Sequence, residues 1–198
     1  MKKEELIKYL KSQNFSKSLV KAFERVNRAK FVSENLKDSA YLDMALSIGH
    51  EQTISQPSTI AFMLEQLEIK NGQNILEIGS GSGYVLALLS EFNKKGKITG
   101  IERIKELANK SKKKLKQYKN VKVIHGNALT GLKDQKFDRI LASAAFKNVP
   151  KEIIEKNLEE DGIFVGPVKD YILEVKKSKD KLDIKEFGWF AFVPIIED

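Results

Sequence analysis

The sequence predicts an α/β fold with a mostly parallel, twisted sheet flanked by helices. From residue 74 onward, apolar runs of strand length alternate with helical patterns, which is typical of parallel strands joined by crossover helices. The first run, 74–78, ends in the glycine-rich segment 79–83 and leads directly into a helical pattern. Two amphipathic patterns at 4–11 and 17–27 precede this alternation and predict an N-terminal helical extension.

The region between these helices and the alternating part is predicted to be a loop followed by a helix. Ser16 is placed to cap the second N-terminal helix. Residues 30–56 lack clear periodicity, so we expect an ordered loop with short turns. Pro57 suits the first turn of the next helix, and Asn71-Gly72 ends that part of the chain with a turn.

The alternating region supplies the sheet. Strands are predicted at 74–78, 97–101, 121–125, 138–142 and 162–166, with helices near 83–92, 104–117 and 150–158. Two later runs, 171–176 and 187–193, are predicted to add antiparallel edge strands. The 198 residues fit one domain with three parts: N-terminal helices and loop (1–56), a core (57–168) and C-terminal strands (169–198).

Composition excludes several classes of protein. Without cysteine, and with only His50 and His125, the chain offers neither a disulfide framework nor a cysteine- or histidine-rich metal site, so no metal is expected. No apolar stretch is long enough for a signal peptide or membrane span, so we expect a soluble cytoplasmic protein. The net charge of +8 raises the possibility of nucleic-acid binding, but the densest block, 110–119, lies on the outer face of a predicted helix. A nucleic-acid partner is therefore disfavoured.

The glycine-rich turn indicates a nucleotide-like cofactor. Gly79, Gly81 and Gly83 allow a tight turn at the end of a strand, where the next helix presents backbone N–H groups to a ligand. A dinucleotide site would need its third glycine at the position that Tyr84 occupies, so the spacing disfavours NAD. Glu102, at the end of the following strand, is placed to accept ribose hydroxyls.

Two further side chains extend this predicted site. Glu77 is a second acid at the end of the first strand, placed to attract a positive group of the cofactor. His125-Gly126-Asn127-Ala128 follows the third strand of the alternation, where a loop reaches an adenine ring. Asn127 can both donate and accept hydrogen bonds there.

Several segments together resemble the protein-L-isoaspartate (D-aspartate) O-methyltransferases. The most specific is Ser47-Ile48-Gly49-His50-Glu51-Gln52-Thr53-Ile54-Ser55-Gln56-Pro57, since many methyltransferases share the glycine turn alone. The similar segments in chain order are Met63-Leu64, Leu76 to Tyr84, Ile101 to Ile104, Glu106-Leu107, Phe137-Asp138, Ala144-Ala145, Val149-Pro150, Asp161-Gly162, Val165, Pro167-Val168 and Phe192-Val193-Pro194. The resemblance covers residues from about 5 to 195.

This resemblance implies a Rossmann-like fold that binds S-adenosyl-L-methionine and releases S-adenosyl-L-homocysteine. The implied reaction methylates the free α-carboxylate of L-isoaspartyl, and by extension D-aspartyl, residues in damaged proteins; the ester then collapses to a succinimide. Ser55 is implied as the active-site residue. The implied substrate-binding residues are His50, Gln52, Thr53 and Ile54, and the implied cofactor-binding residues are Glu77, Gly79, Ser80, Gly81, Gly83, Glu102, Arg103, Asn127 and Ala128. A monomer that acts on damaged proteins and peptides is expected.

The chain departs from the family pattern at three places. Gly126-Asn127-Ala128 stands where Gly-Asp-Gly is usual, so a neutral amide replaces a carboxylate. Ser143 stands in place of threonine and Lys169 in place of glycine. Two alternatives therefore stay open: a specialised methyltransferase that acts on one aspartate of a partner peptide to form an imide, and a catalytically silent cofactor-binding adaptor.

Overall fold

The computed structural model describes residues 1–133, 135–179 and 181–195. In this part of the chain, a central sheet has seven strands, which lie side by side in the order β5 (Val121–His125), β4 (Lys97–Glu102), β3 (Asn74–Ile78), β6 (Phe137–Ala142), β7 (Leu158–Val168), β8 (Tyr171–Ser178) and β9 (Lys181–Phe187). Neighbours from β5 to β7 are parallel, and β8 and β9 pair antiparallel at one edge. The predicted α/β class and the antiparallel C-terminal strands are confirmed. The last three residues of the predicted segment 169–198 lie outside the described residues.

The helices and strands follow the alternation that the sequence predicts. The helices are α1 (Lys3–Ser12), α2 (Lys17–Arg25), α3 (Pro57–Gln66), α4 (Tyr84–Phe92), α5 (Lys105–Lys114), α6 (Ala128–Gly131) and α7 (Lys151–Asn157). No helix in the described ranges is long and apolar enough to cross a membrane.

Hydrophobic packing covers both faces of the sheet. In β3 the last four residues are buried, as expected for a central parallel strand covered on both sides. One apolar cluster joins α1 and α2 to α3, α4 and α5, and a second cluster joins the strands to α6 and α7. The α4 helix, which follows the glycine turn, is buried along most of its length, and α2 packs directly against it while α1 packs against α2.

The loop predicted at 30–56 contains more regular structure than its sequence pattern indicates. Two short 3₁₀ helices, Arg28–Lys30 and Glu34–Ser39, are followed by a hairpin of β1 (Leu46–Gly49) and β2 (Gln52–Ile54). Such short elements leave too few residues for a periodicity to be visible. Ser55 follows the hairpin and lies two residues before Pro57, the first residue of α3.

The predicted strand 187–193 is wrong. The edge strand is instead β9, whose charged residues hide its alternation and suit a solvent-exposed edge. Gly188 has φ +33, and the chain then leaves the sheet as Phe190 stacks on Phe62. The aromatic pattern of this segment therefore reflects packing over α3 and not strand pairing.

Ser16 and Lys169 have local roles that differ from those expected from the sequence. Ser16 precedes α2, but its side chain makes no capping hydrogen bond, because its hydroxyl contacts Glu65 Oε2 at 3.0 Å. Lys169 has φ +54, a backbone conformation that favours glycine, which accounts for the glycine usual at this position in the resembled family. Its amide donates to the Phe146 carbonyl at 2.8 Å and so retains the turn.

Candidate active site

The glycine turn lies at the carboxyl end of β3 and is tied to β4. Gly79 and Gly81 have φ +75 and +46, conformations that side chains other than glycine rarely adopt. The backbone N–H groups of Gly79 and Ser80 donate to the Ile101 carbonyl at 2.9 and 3.2 Å. The turn is therefore held against the next strand and exposes its glycine surface to the pocket.

Glu102 organises the turn from the end of β4. Its Oε2 accepts from the Gly81 amide at 2.7 Å, and its Oε1 accepts from the Ile104 amide at 2.8 Å. The side chain is buried at the pocket wall. Because each carboxylate oxygen has two lone pairs, both oxygens keep acceptor capacity for ligand hydroxyls.

Glu77 is a buried acid at the base of the same pocket. Ser143 donates its hydroxyl to Glu77 Oε1 at 2.8 Å, whereas Oε2 has no hydrogen-bond partner in the described structure. Burial raises the pKa of Glu77 to about 8, with a smaller contribution from the negative charge of Glu102, while the Ser143 hydrogen bond acts in the opposite direction. The site thus contains a carboxyl group that a positive ligand group would ionise.

Ser55 reaches this pocket from the opposite wall. It follows β2, is half-buried, and lies on the pocket surface together with the neighbouring residues of the hairpin. The predicted residues that line the pocket are Gln52, Thr53, Ile54, Ser55, Glu77, Gly79, Ser80, Gly81, Glu102, Arg103, Asn127 and Ala128. One cavity therefore joins the two segments that the sequence singled out, the hairpin and the glycine turn.

Two predicted site residues lie outside this pocket. His50 is exposed at the turn of the β1–β2 hairpin, with φ +55. Gly83 precedes α4 with φ +83, and a Cβ there would lie 2.8 Å from Leu115 Cδ1 and 3.1 Å from Ser111 Cβ. The third glycine thus permits close packing of α4 against α5 and does not contact the pocket.

Asn127 serves as a cap in addition to lining the pocket. Its Oδ1 accepts from the Leu129 amide at 2.9 Å, at the start of α6. A carboxylate can accept the same bond, so the local fold of this loop is compatible with either side chain.

Further residues of the pocket wall were not predicted from the sequence. Ile48, Ser82, Val193, Pro194 and Ile195 also line the cavity. The last three reach it because the Ala145 amide donates to the Val193 carbonyl and the Ile195 amide donates to the Ala145 carbonyl, both at 2.8 Å. No local sequence pattern reveals a wall formed by such distant pairing.

The fold and the pocket define the class of protein. A glycine turn at the carboxyl end of the central strand, an acid at the end of the next strand and an adjoining substrate wall are the features of the Rossmann-like methyltransferase fold. Over 98% of both chains, the structure matches a Plasmodium falciparum protein-L-isoaspartate O-methyltransferase crystallised with S-adenosyl-L-homocysteine, with a TM-score of 0.86 and 25% identity.

Sequence comparison identifies the family within this class. The profile of the protein-L-isoaspartate(D-aspartate) O-methyltransferase family matches residues 1–198. The protein-L-isoaspartate O-methyltransferase of Methanosarcina mazei is 42% identical over 96% of this chain and 82% of its own length. That of Fervidobacterium nodosum is 36% identical over 96% of this chain and 99% of its own length. The chain belongs to the protein-L-isoaspartate(D-aspartate) O-methyltransferase family.

Proposed function

We propose that this protein transfers a methyl group from S-adenosylmethionine to the α-carboxylate of L-isoaspartyl residues in damaged proteins and peptides, so that the ester can close to a succinimide. The observation that carries the proposal is the shared pocket of Ser55 and the Gly79–Gly81 turn. The family membership supports the same reaction.

The residues of the pocket fit S-adenosylmethionine. Glu77 Oε2 and Ser80 Oγ are buried polar atoms without partners among the described residues, as expected for atoms that complete their hydrogen bonds with a ligand. Glu102 would accept the ribose hydroxyls, and the loop of Asn127 and Ala128 would contact the adenine. Glu77 would balance the positive charge of the methionine part.

The protein's own residues need to orient the acceptor more than activate it. S-adenosylmethionine supplies an electrophilic methyl group bound to a positive sulfur. A carboxylate is already ionised at neutral pH, so no strong general base is needed. The Ser55 hydroxyl donates a hydrogen bond to this carboxylate, and the wall formed by Gln52, Thr53 and Ile54 confines the peptide. Correct alignment alone can lower such a barrier by about 7 to 11 kcal/mol.

A matched pair of peptides tests this function. We expect labelled S-adenosylmethionine to methylate an isoaspartyl peptide and to leave the aspartyl peptide of the same sequence unlabelled. Ser55→Ala should lower kcat by about 10- to 100-fold through lost alignment, with little change in cofactor affinity. Equal labelling of both peptides contradicts the proposal. Labelling of one particular aspartyl peptide alone would favour the imide-forming alternative, and tight binding without transfer would favour the adaptor.

The loop that departs from the family pattern gives a second test. We expect Asn127→Asp to tighten the binding of S-adenosylhomocysteine by about 3- to 10-fold, because a carboxylate is the stronger acceptor for the adenine amino group. The helix cap is retained, so the variant should unfold at the same temperature. Isothermal titration calorimetry measures the affinity. Weaker binding would mean that the pocket is adapted to the amide.

The proposal extends to the organisation of the protein and its location in the cell. We propose that the chain acts as a single methyltransferase domain and as a cytoplasmic monomer without a metal. The N-terminal part supplies the substrate wall, and the C-terminal segment closes the pocket through Val193 and Ile195.

A further inference from the structure

Arg28 is fully buried beneath the Ser55 segment. Its Nε donates to the Ala40 carbonyl at 2.8 Å, and its Nη2 donates to the Ser55 carbonyl at 2.9 Å and, more weakly, to the Met44 carbonyl at 3.4 Å. Its guanidinium carbon lies 5.1 Å from the centre of the Tyr84 ring, a cation–π contact. Tyr84 is the first residue of α4, directly after the glycine turn. One side chain therefore touches both walls of the pocket.

The charge on Arg28 persists despite burial. Desolvation lowers the pKa of Arg28 to about 10, with Tyr84, Asp43 and Tyr41 acting in the opposite direction, so the guanidinium stays protonated at neutral pH. Its carbonyl partners belong to residues 12 to 27 positions away along the chain. Arg28 does not line the pocket itself, and so it acts through the main chain that it holds.

Asp43 holds the other side of the same segment. Its Oδ1 accepts from the Ser58 amide at 2.8 Å in the first turn of α3. Its Oδ2 accepts from Gln56 Nε2 at 3.0 Å and from Ser58 Oγ at 2.8 Å. The main chain of Ser55 is therefore held by the guanidinium of Arg28, and the residues that follow it are held by the carboxylate of Asp43.

We infer that Arg28 and Asp43 are positioning residues for methyl transfer, which fix the Ser55 segment relative to the start of α4. This inference rests on the proposed role of Ser55. The cofactor turn and the acceptor residue belong to different parts of the chain, so their separation depends on contacts between those parts. Arg28 supplies a direct contact, and Asp43 holds the residues that follow Ser55 through its hydrogen bonds to Gln56 and Ser58.

Double-mutant cycles test the inference. Arg28→Lys and Asp43→Asn are each combined with Ser55→Ala, and kcat and KM for an isoaspartyl peptide are measured beside the affinity for S-adenosylhomocysteine. Each single variant should lower kcat by about 10- to 100-fold, because a small misplacement near the reacting atoms is costly. The affinity should stay within about 3-fold. In the Ser55→Ala background the further loss should shrink to less than about 3-fold, because the group being positioned is absent.

The outcomes separate this inference from the proposed function. An equal loss in both backgrounds, or a parallel loss of S-adenosylhomocysteine affinity, would show that Arg28 and Asp43 only support the fold. Wild-type activity of Ser55→Ala alone would instead overturn the role proposed for Ser55. If Arg28→Lys does not fold, the half-buried Asp43→Asn variant decides, and additive losses with Ser55→Ala overturn the inference.

Arg139 offers a matched control. It is another buried arginine that donates to main-chain carbonyls, to Leu67 at 2.7 Å and to Asp138 at 2.8 Å, but it does not line the pocket and makes no hydrogen bond to the Ser55 segment. Arg139→Lys should lower thermal stability and leave kcat within about 3-fold of the wild type. A large loss of kcat in this variant would mean that any buried arginine affects transfer, which contradicts the inference.

Discussion

Glu102→Ala is expected to weaken S-adenosylhomocysteine binding about 100-fold or more. The change removes the acceptor proposed for the ribose hydroxyls and also frees the amides of Gly81 and Ile104, which the carboxylate holds at 2.7 and 2.8 Å. Hydrogen bonds to a charged group contribute about 1.5 to 3 kcal/mol each, and about 2.8 kcal/mol corresponds to 100-fold in Kd. Loss of the ribose contact and loosening of the turn therefore act in the same direction. Calorimetric titration with S-adenosylhomocysteine measures the effect.

Two further variants serve as controls for the Glu102→Ala result. Glu102→Gln keeps one oxygen acceptor but presents an amide N–H₂ group to the other backbone amide, so an intermediate affinity is expected. Glu106→Ala removes an exposed acid from the first turn of α5 and should leave the affinity unchanged. If Glu102→Ala bound as tightly as the wild type, both proposed roles of this carboxylate would be wrong.

The parts of the fold that the sequence predicted correctly depend on local patterns. Buried parallel strands such as β3 and β6 form short, mostly apolar runs between helical patterns, and such runs are visible without any knowledge of the strands they pair with. β9 was missed for the opposite reason: it is an exposed edge with charges at most positions. Segment 187–193 was misassigned because its aromatic residues suggest a strand, whereas Phe187 and Phe190 pack on Phe62 of α3 and Trp189 packs on Tyr171.

In the candidate site, too, the residues marked by a local sequence pattern were predicted, and those that act through distant contacts were not. The glycine turn and Glu102 lie at the carboxyl ends of two successive parallel strands joined by one helix, so the sequence alone could place them together. Arg28 gave no such signal, because its partners are backbone carbonyls of residues such as Ala40 and Ser55, which any side chain provides. Gly83 was predicted from the sequence to bind the cofactor, and the structure adds a packing role that its sequence context did not reveal, through its φ and its approach to Leu115.

The raised pKa of Glu77 leads to the second large expected effect, a coupling of cofactor binding to proton release. In the free protein the pKa is about 8, so the carboxyl is mostly protonated at pH 6.5 to 7. A positive methionine group close to Glu77 favours the ionised form. We therefore expect binding of S-adenosylmethionine near pH 6.5 to release close to one proton per site. The release should fall to about half a proton per site near pH 8 and disappear at higher pH, as the carboxyl becomes ionised in the free protein.

Calorimetric titration in buffers of different ionisation enthalpy counts this proton, and Glu77→Gln is the control that cannot release it. The variant should bind more weakly and show no dependence of the binding enthalpy on the buffer.

The raised pKa of Glu77 also affects the stability of the fold. Glu77 holds its proton more tightly in the folded protein than in the unfolded chain, where its carboxyl has the ordinary pKa of 4.5. Its contribution to the free energy of unfolding is complete below about pH 4.5 and is lost as the pH rises through about 8. Wild type should therefore lose thermal stability relative to Glu77→Gln across this window. Identical proton release by both proteins would exclude Glu77 as the ionising group and, with it, the proposed contact to the methionine part of the cofactor.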